Sequence, residues 1–158
     1  GKDATMLEVV IVGAIIAIAA AVAVPSYLQW SAKSQLVKEM TTLSQNLNLA
    51  RMAAMSRNTT VTVTLDNNVT DPIDGLPKVT ATFSPAVVDA QRMQGAVTAL
   101  ANITPPAGTV PMTIRFSSLG VQLGANQSFT LTNNKGLVYS AVVTPAGKVM
   151  WCPKSTCP

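Results

Sequence analysis

One acidic side chain lies inside a long apolar segment near the N-terminus. The segment MLEVVIVGAIIAIAAAVAVPSY runs from Met6 to Tyr27, and Glu8 is its only charged residue. An ionised carboxylate in hydrocarbon costs several kcal/mol unless a cation neutralises it, so an acid at membrane depth is a candidate functional residue. The chemistry expected of Glu8 is therefore pairing with a cation, not catalysis.

The other carboxylates show no arrangement typical of catalysis. Three of them fall in LDNNVTDPIDG, which does not match a Ca²⁺ loop and is typical of turns, with adventitious Ca²⁺ binding as the alternative. The chain has no histidine, no glycine-rich phosphate loop and no G-x-S-x-G motif. We expect no enzyme activity, no cofactor and no metal site. The seven carboxylates are Asp3, Glu8, Glu39, Asp66, Asp71, Asp74 and Asp89.

The two cysteines, Cys152 and Cys157, lie together in WCPKSTCP at the C-terminal end. Two cysteines without histidine do not supply a four-ligand zinc site. In an exported protein they are expected to form a local disulfide that holds the chain end in place. The alternative is a redox pair, but the spacing lacks the C-x-x-C form.

The overall composition disfavours a simple cytosolic enzyme. Hydrophobic residues make up 48% of the chain and charged residues 11%, less than half the roughly 25% charged residues of a typical soluble domain. The net charge is +4, and the basic residues are scattered. This charge is compatible with weak attraction to DNA or anionic lipid, but solubility is the favoured explanation.

The first part of the chain is predicted to be helical from about Ala4 to Arg57. Residues Val9–Val24 are apolar on every face, and the residues that follow extend the segment to about the 20 needed to span a bilayer. Pro25 removes one helical hydrogen bond, so a bend or local loosening is expected there. We assign residues 1–28 to this apolar helix.

Residues 29–57 are predicted to continue the helix in amphipathic form. Apolar side chains recur every three or four residues and need an apolar surface to cover them, whereas the apolar half of the helix is expected to protrude. The stripe consists of Leu36, Met40, Leu43, Leu47, Ala50 and Ala54.

Residues 58–158 are predicted to form a β domain. Strict alternation in TTVTVTL (59–65) and KVTATFS (78–84) indicates strands. Four further strands are expected, and NNKG and TPAGK are hairpin-turn signals. Residues 85–111 are compatible with a short helix or a pair of strands. The expected fold is α+β, with an antiparallel sheet covering the helical stripe. The further strands are MTIRF, QSFTLTN, LVYSAVV and KVMWC.

Together these elements resemble the type IV pilins and the pseudopilins of type II secretion. The segment TMLEVVIVGAIIAIAAAVAVPSYLQWSAKSQ is similar to the N-terminal segment that defines this class, in which a proline follows a glutamate at the spacing of Glu8 and Pro25. A second resemblance, to pilins of the GspH/FimT type, is carried by LARMAAMSRNTTVTV, IRFSSLG and VVTPAGKVMWCP. The region 67–111 has no match.

The resemblance implies that Glu8 sets subunit register in a filament by pairing with a cation of a neighbouring subunit. The alternative is an acid at the membrane interface that only orients the span. In the family the glutamate is fifth in the processed chain and the cation is the terminal amine of a neighbour. Here the only glycine before Glu8 is Gly1, and processing after it would leave Glu8 seventh and displace that amine. Lys2 is therefore a candidate cation beside the terminal amine. Gly13 and Pro25 bracket a segment that is expected to lose helicity in the filament, the alternative being a static helix with a small kink.

The function expected from the resemblance is that of a main structural subunit that polymerises into a type IV pilus. The implied partners are further pilin copies, a lipid bilayer before assembly, inner-membrane assembly machinery and a prepilin peptidase. The implied location is the inner membrane, then the cell surface. A minor pilin or secretion pseudopilin is the alternative. DNA binding is another, with Arg115, Lys135, Lys148 and Lys154 as candidates, but no aromatic platform accompanies them.

Overall fold

The computed structural model of the chain describes residues 2–93, 96–106 and 108–157. Within these ranges one helix, α1 (Lys2–Ser56), precedes eight strands. The strands are β1 (Val61–Thr70), β2 (Pro77–Ser84), β3 (Gln91–Arg92), β4 (Val97–Asn102), β5 (Met112–Phe116), β6 (Gln127–Asn133), β7 (Val138–Val143) and β8 (Val149–Cys152).

The described residues divide into two compact units, and the division falls within α1. The first unit ends at Ser31, and the second, which begins at Ala32, contains the rest of the helix and all the strands. Helical structure is continuous through Gly13 and Pro25, although a proline cannot donate to the carbonyl four residues earlier. Pro25 therefore does not end the helix.

The later half of α1 supplies one side of the core of the second unit. All six residues of the predicted stripe are buried, together with Ala32. They form a single hydrophobic cluster with side chains from both sheets, including Val61, Phe116 and Phe129. The intervening positions carry charged residues such as Lys33 and Lys38, which are exposed. The predicted packing of this half of the helix on antiparallel strands is confirmed.

The strands form two sheets, where the sequence had indicated one. The first sheet has the order β3-β2-β1-β5 and the second the order β4-β6-β7-β8, and all pairs are antiparallel. The chain leaves the first sheet after β3, returns to it for β5, and leaves it again. Alternating hydrophobicity identifies the buried face of each strand but not its neighbours, so this exchange was not predictable from the pattern.

The first strand is longer than its alternating pattern. β1 continues from Leu65 to Thr70, through a bulge between Asp66 and Val69. Asn68 takes up the bulge at φ 59°, a left-handed conformation that asparagine tolerates better than most residues. The strand predicted to end at Leu65 therefore continues further, because the bulge interrupts the alternation without ending the pairing.

The ambiguous region 85–111 contains strands and, in its described part, no helix. β3 and β4 do not pair with each other, because β3 joins β2 and β4 joins β6. Residues 94, 95 and 107 of this region lie outside the described residues. Both predicted hairpin turns are confirmed: Asn133 N–H donates to Leu137 O at 3.0 Å, and Thr144 N–H to Lys148 O at 2.9 Å.

Two leucines on α1 give a matched test of this core. Leu43 is fully buried, whereas Leu49 is 45% exposed. Leu43→Ala should lower the free energy of unfolding by about 2–5 kcal/mol because it leaves a cavity, and Leu49→Ala by less than about 1 kcal/mol. Urea unfolding of the full-length chain in detergent micelles measures both. Equal losses would contradict the observed orientation of the helix.

Candidate functional site

The apolar segment of α1 has no covering surface within its unit. The described residues from Lys2 to Trp30 are exposed along their whole length, and the helix is long and apolar enough to cross a membrane. Val9, Ile15 and Val22 are each more than 60% exposed. Exposed apolar patches of this extent mark surfaces that another protein or a membrane covers.

Glu8 lies near the start of this segment. Its side chain is exposed, and it forms no ion pair with another described residue. Gly13 follows in the same helix, with open space where a Cβ would lie, so a neighbouring helix is free to approach the backbone closely there. The structure thus presents Glu8 and Gly13 on an uncovered helix.

A second group of residues joins α1 to two loops at one end of the strands. The Arg51 guanidinium donates through Nε to Gly120 O at 2.7 Å. Gly147, at φ 88°, packs so closely on Gly120 O and on Arg51 that a Cβ would collide with both. Gln122 N–H also donates to Pro145 O at 3.0 Å. We call Arg51, Gly120 and Gly147 the loop junction.

The loop junction brings together the three segments that carried the GspH-type resemblance. Arg51 belongs to LARMAAMSRNTTVTV, Gly120 ends IRFSSLG, and Gly147 belongs to VVTPAGKVMWCP. Sequence reasoning named these segments but not their contact. The sequence signal that could have indicated this contact is a basic residue near the end of the amphipathic helix, together with glycines in two loops.

The turn between β1 and β2 is organised by a lysine held between two aspartates. Lys78 Nζ lies 2.7 Å from Asp71 Oδ2 and 2.6 Å from Asp74 Oδ2. The other oxygens accept backbone N–H groups two residues on, Asp71 Oδ1 from Ile73 and Asp74 Oδ1 from Leu76, each at 2.9 Å. Turn chemistry was expected here, but Lys78 was missed.

These contacts favour the charged forms of all three side chains. The hydrogen bond from Lys78 and the adjacent backbone N–H groups lower the pKa of both carboxyl groups below their usual range. The two carboxylates raise the pKa of Lys78. Asp71 is the more enclosed partner, since its side chain is 1% exposed and that of Asp74 is 39% exposed.

The structure joins Cys152 and Cys157 in a disulfide, with the Cα atoms 5.7 Å apart. The bond closes a short loop directly after β8, the edge strand of the second sheet. Trp151 on β8 stacks on Tyr139 of β7 with ring centroids 5.8 Å apart. The C-terminal end is therefore held by both contacts, and nothing in this arrangement uses the cysteines as a free redox pair.

The candidate DNA-binding residues do not come together. Arg115 is exposed on β5, Lys148 lies in the β7–β8 turn, and Lys135 lies at the other end of β7. Lys154 belongs to the disulfide loop. Single-stranded DNA sites combine a basic groove with aromatic stacking surfaces, and these four residues define no such groove.

A family model described as type II transport protein GspH matches residues 39–147, which is most of the chain. The chain belongs to the GspH family of type II transport proteins. The match includes the whole loop junction, whereas Glu8 and both cysteines lie outside it. The expected relationship to the type IV pilin and pseudopilin families is therefore confirmed.

The fold also agrees with that of a pilin. The crystal structure of the type IV minor pilin FimU from Pseudomonas aeruginosa superposes with a TM-score of 0.59, covering 82% of this GspH-family chain and 96% of FimU. The sequence identity is 14%, so the likeness concerns the fold alone. Comparison with curated protein sequences gives no match.

The aspartate pair predicts a pH-dependent stability. Because the pKa of Asp71 is lowered in the folded chain, its contribution is complete above the ordinary value of 3.8 and is lost as the pH falls through the lowered value. Asp71→Asn keeps the acceptor for Ile73 but removes the charge. We expect the variant to be less stable than the wild type at pH 7, with the difference shrinking below pH 3.8.

Urea unfolding of the full-length chain in micelles across this pH range measures the effect. Asp89→Asn is the control, because Asp89 is exposed and belongs to neither ion pair. The lowest pH, about 2.5, lies well below the ordinary pKa of a carboxyl group. If wild type and Asp71→Asn differ by the same free energy of unfolding from pH 7 down to that pH, the assignment is contradicted.

Proposed function

We propose that the chain is a structural subunit that polymerises through its N-terminal helix into a type IV pilus filament. The observation that carries this proposal is the exposed apolar segment Val9–Val24, which continues directly into the buried half of the same helix. A bilayer covers such a segment before assembly, and copies of the same helix cover it afterwards. Membership of the GspH family and the pilin fold support this role.

Transfer from lipid to filament is physically accessible for this helix. Val9–Val24 carries no polar side chain that would favour lipid over a bundle of identical helices. Helix association in such surroundings depends on close packing, which small residues permit. Gly13 and the alanines at positions 14, 17, 19, 20, 21 and 23 provide that property. The subunit would therefore reside in the inner membrane first and on the cell surface after assembly.

Glu8 is proposed to set the axial register between subunits. In a helix bundle its carboxylate is neutralised only where a neighbour presents a cation, either a terminal amine or the Lys2 ammonium. A subunit at the wrong height leaves the charge unpaired, which disfavours that position. Assembly by inner-membrane machinery and processing by a prepilin peptidase belong to the same proposal.

Glu8→Ala tests this role. The variant should enter the membrane in normal amount but reduce filament yield by about tenfold or more, since even 1.4 kcal/mol per contact corresponds to a factor of ten. The measurement compares membrane fractions with filaments sheared from the cell surface. Asp3→Ala is the control, because it removes another exposed carboxylate of the same helix. Normal yield and length from Glu8→Ala would refute the role.

A minor subunit is the second candidate, and the family supports it. The matching family describes a type II transport protein, and FimU is a minor pilin. A minor subunit would occur in few copies per filament, whereas the main subunit would dominate the sheared fraction. Quantitative peptide analysis of sheared wild-type filaments therefore separates the two candidates.

The segment from Gly13 to Pro25 is proposed to lose helicity on assembly. Glycine has low helix propensity, and the proline leaves the carbonyl of Ala21 without a helical donor. In the filament we expect several helical hydrogen bonds between these residues to be absent. A filament structure by cryo-electron microscopy tests this, and continuous helical bonding from residue 13 to residue 25 would exclude it. Gly13→Ala with Pro25→Ala should restore the helix.

A further inference from the structure

The β1–β2 turn exposes two large apolar side chains. Ile73 is 80% exposed and Leu76 is 58% exposed. Both flank the aspartate–lysine contacts, because Asp71 accepts from the Ile73 N–H and Asp74 from the Leu76 N–H. We call residues 71–76 the hairpin tip. Its backbone is already ordered, so presenting these side chains to a partner requires little loss of conformational freedom.

A second exposed apolar surface surrounds the loop junction. Met55 at the end of α1 packs against Gly120, whose left-handed φ of 79° turns the β5–β6 loop back towards the helix. Leu119, the most exposed member, is 81% exposed. We call this set the loop surface. It consists of Met52, Met55, Leu119, Val121 and Leu123, all exposed.

The two surfaces lie at opposite ends of β1. At one end Val61 pairs with Phe116, directly before the β5–β6 loop, and at the other end Thr70 pairs with Pro77 beside the hairpin tip. A strand of this length spans roughly 30 Å at about 3.3 Å per residue. The hairpin tip of one copy therefore does not reach the loop surface of the same copy.

The charges around the two surfaces are complementary. Three carboxylates lie at the strand end and turn around the hairpin tip, those of Asp66, Asp71 and Asp74. Two basic residues lie near them, Lys78 and Arg92, and the charge of Arg92 also acts on Asp71. Around the loop surface the charged residues are all basic, and the chain has no acidic residue after Asp89. These basic residues are Arg51, Arg57, Arg115 and Lys148.

From this juxtaposition we infer that the hairpin tip of one copy docks on the loop surface of a second copy. The inference rests on the proposed function, because it adds an axial contact between the strand-bearing units of successive subunits. Apolar contact between Ile73 or Leu76 and the loop surface supplies the burial, and the opposite charges orient the approach. A contact between two different surfaces leaves one unused surface at each end of the assembly, so it extends into a filament wherever the rotation between subunits does not close a ring.

Thiol cross-linking in intact cells tests the contact. Full-length chains carrying both Ile73→Cys and Leu119→Cys are treated with a short bismaleimide, which leaves the native disulfide unmodified. The expected result is a ladder of dimers, trimers and longer species. Chains carrying only one of the two cysteines should stay monomeric, but co-expression of the two single variants should yield dimers. Leu76→Cys with Leu123→Cys is the second pair, in case the first perturbs folding.

A charge reversal supplies an independent measure. Arg57→Glu should lower the cross-linking yield about two- to fivefold, the range that one exposed ion pair supports. Lys154→Glu is the matched control and should leave the yield unchanged. Lys154 lies two residues after Cys152, whose strand partner is Ser140, at the end of the β7–β8 pairing away from the β7–β8 turn. Equal losses from both variants would overturn the inferred charge pairing.

The outcomes separate this inference from the proposed function. No ladder from either pair, in cells that shed wild-type amounts of filament, overturns the contact and leaves the proposed function standing. Dimers from Ile73→Cys alone, an equal ladder with Asn134→Cys in place of Leu119→Cys, or cross-links to a different protein also overturn it. Absence of the wild-type chain from sheared filaments overturns the proposed function itself.

Discussion

The structure depends on one constraint: a single helix contains two successive segments that need different surroundings. From Ala32 onward its apolar stripe is buried by strands of its own chain, whereas from Val9 to Val24 it is apolar all round and exposed. Water is a poor environment for so large an apolar surface. The chain itself covers the stripe that begins at Ala32, but only a bilayer or other helices can cover the segment from Val9 to Val24.

The strand-bearing unit is arranged around the later half of that helix. Two sheets of four strands share one hydrophobic cluster with it, and Arg51 fixes its end to the β5–β6 loop through Gly120. The close approach of Gly147 to the same carbonyl excludes any side chain at that position. The helix end and both loops are therefore fixed relative to each other, which explains why three distant sequence segments share one structural role.

Much of this fold was predictable from the sequence because burial leaves a periodic signal. Leu36, Leu43 and Leu47 recur at helical spacing, and the valines of β1 alternate at strand spacing. The partition into two sheets was not predictable, since strand partners depend on contacts far apart in the chain. Of the candidate site, Glu8 was recognisable from its apolar surroundings, but Lys78 was not, because its contacts with Asp71 and Asp74 form only in the folded β1–β2 turn.

The edge of the second sheet has a consequence for chains held side by side at high local concentration. β8 is only four residues long, and Pro153 and the cystine loop follow it immediately. An open edge strand exposes unpaired amide groups that recruit foreign strands, and shortness together with a proline suppresses this. Neighbouring chains therefore find little free backbone to pair with at the β8 edge, so strand addition between crowded β domains is disfavoured there.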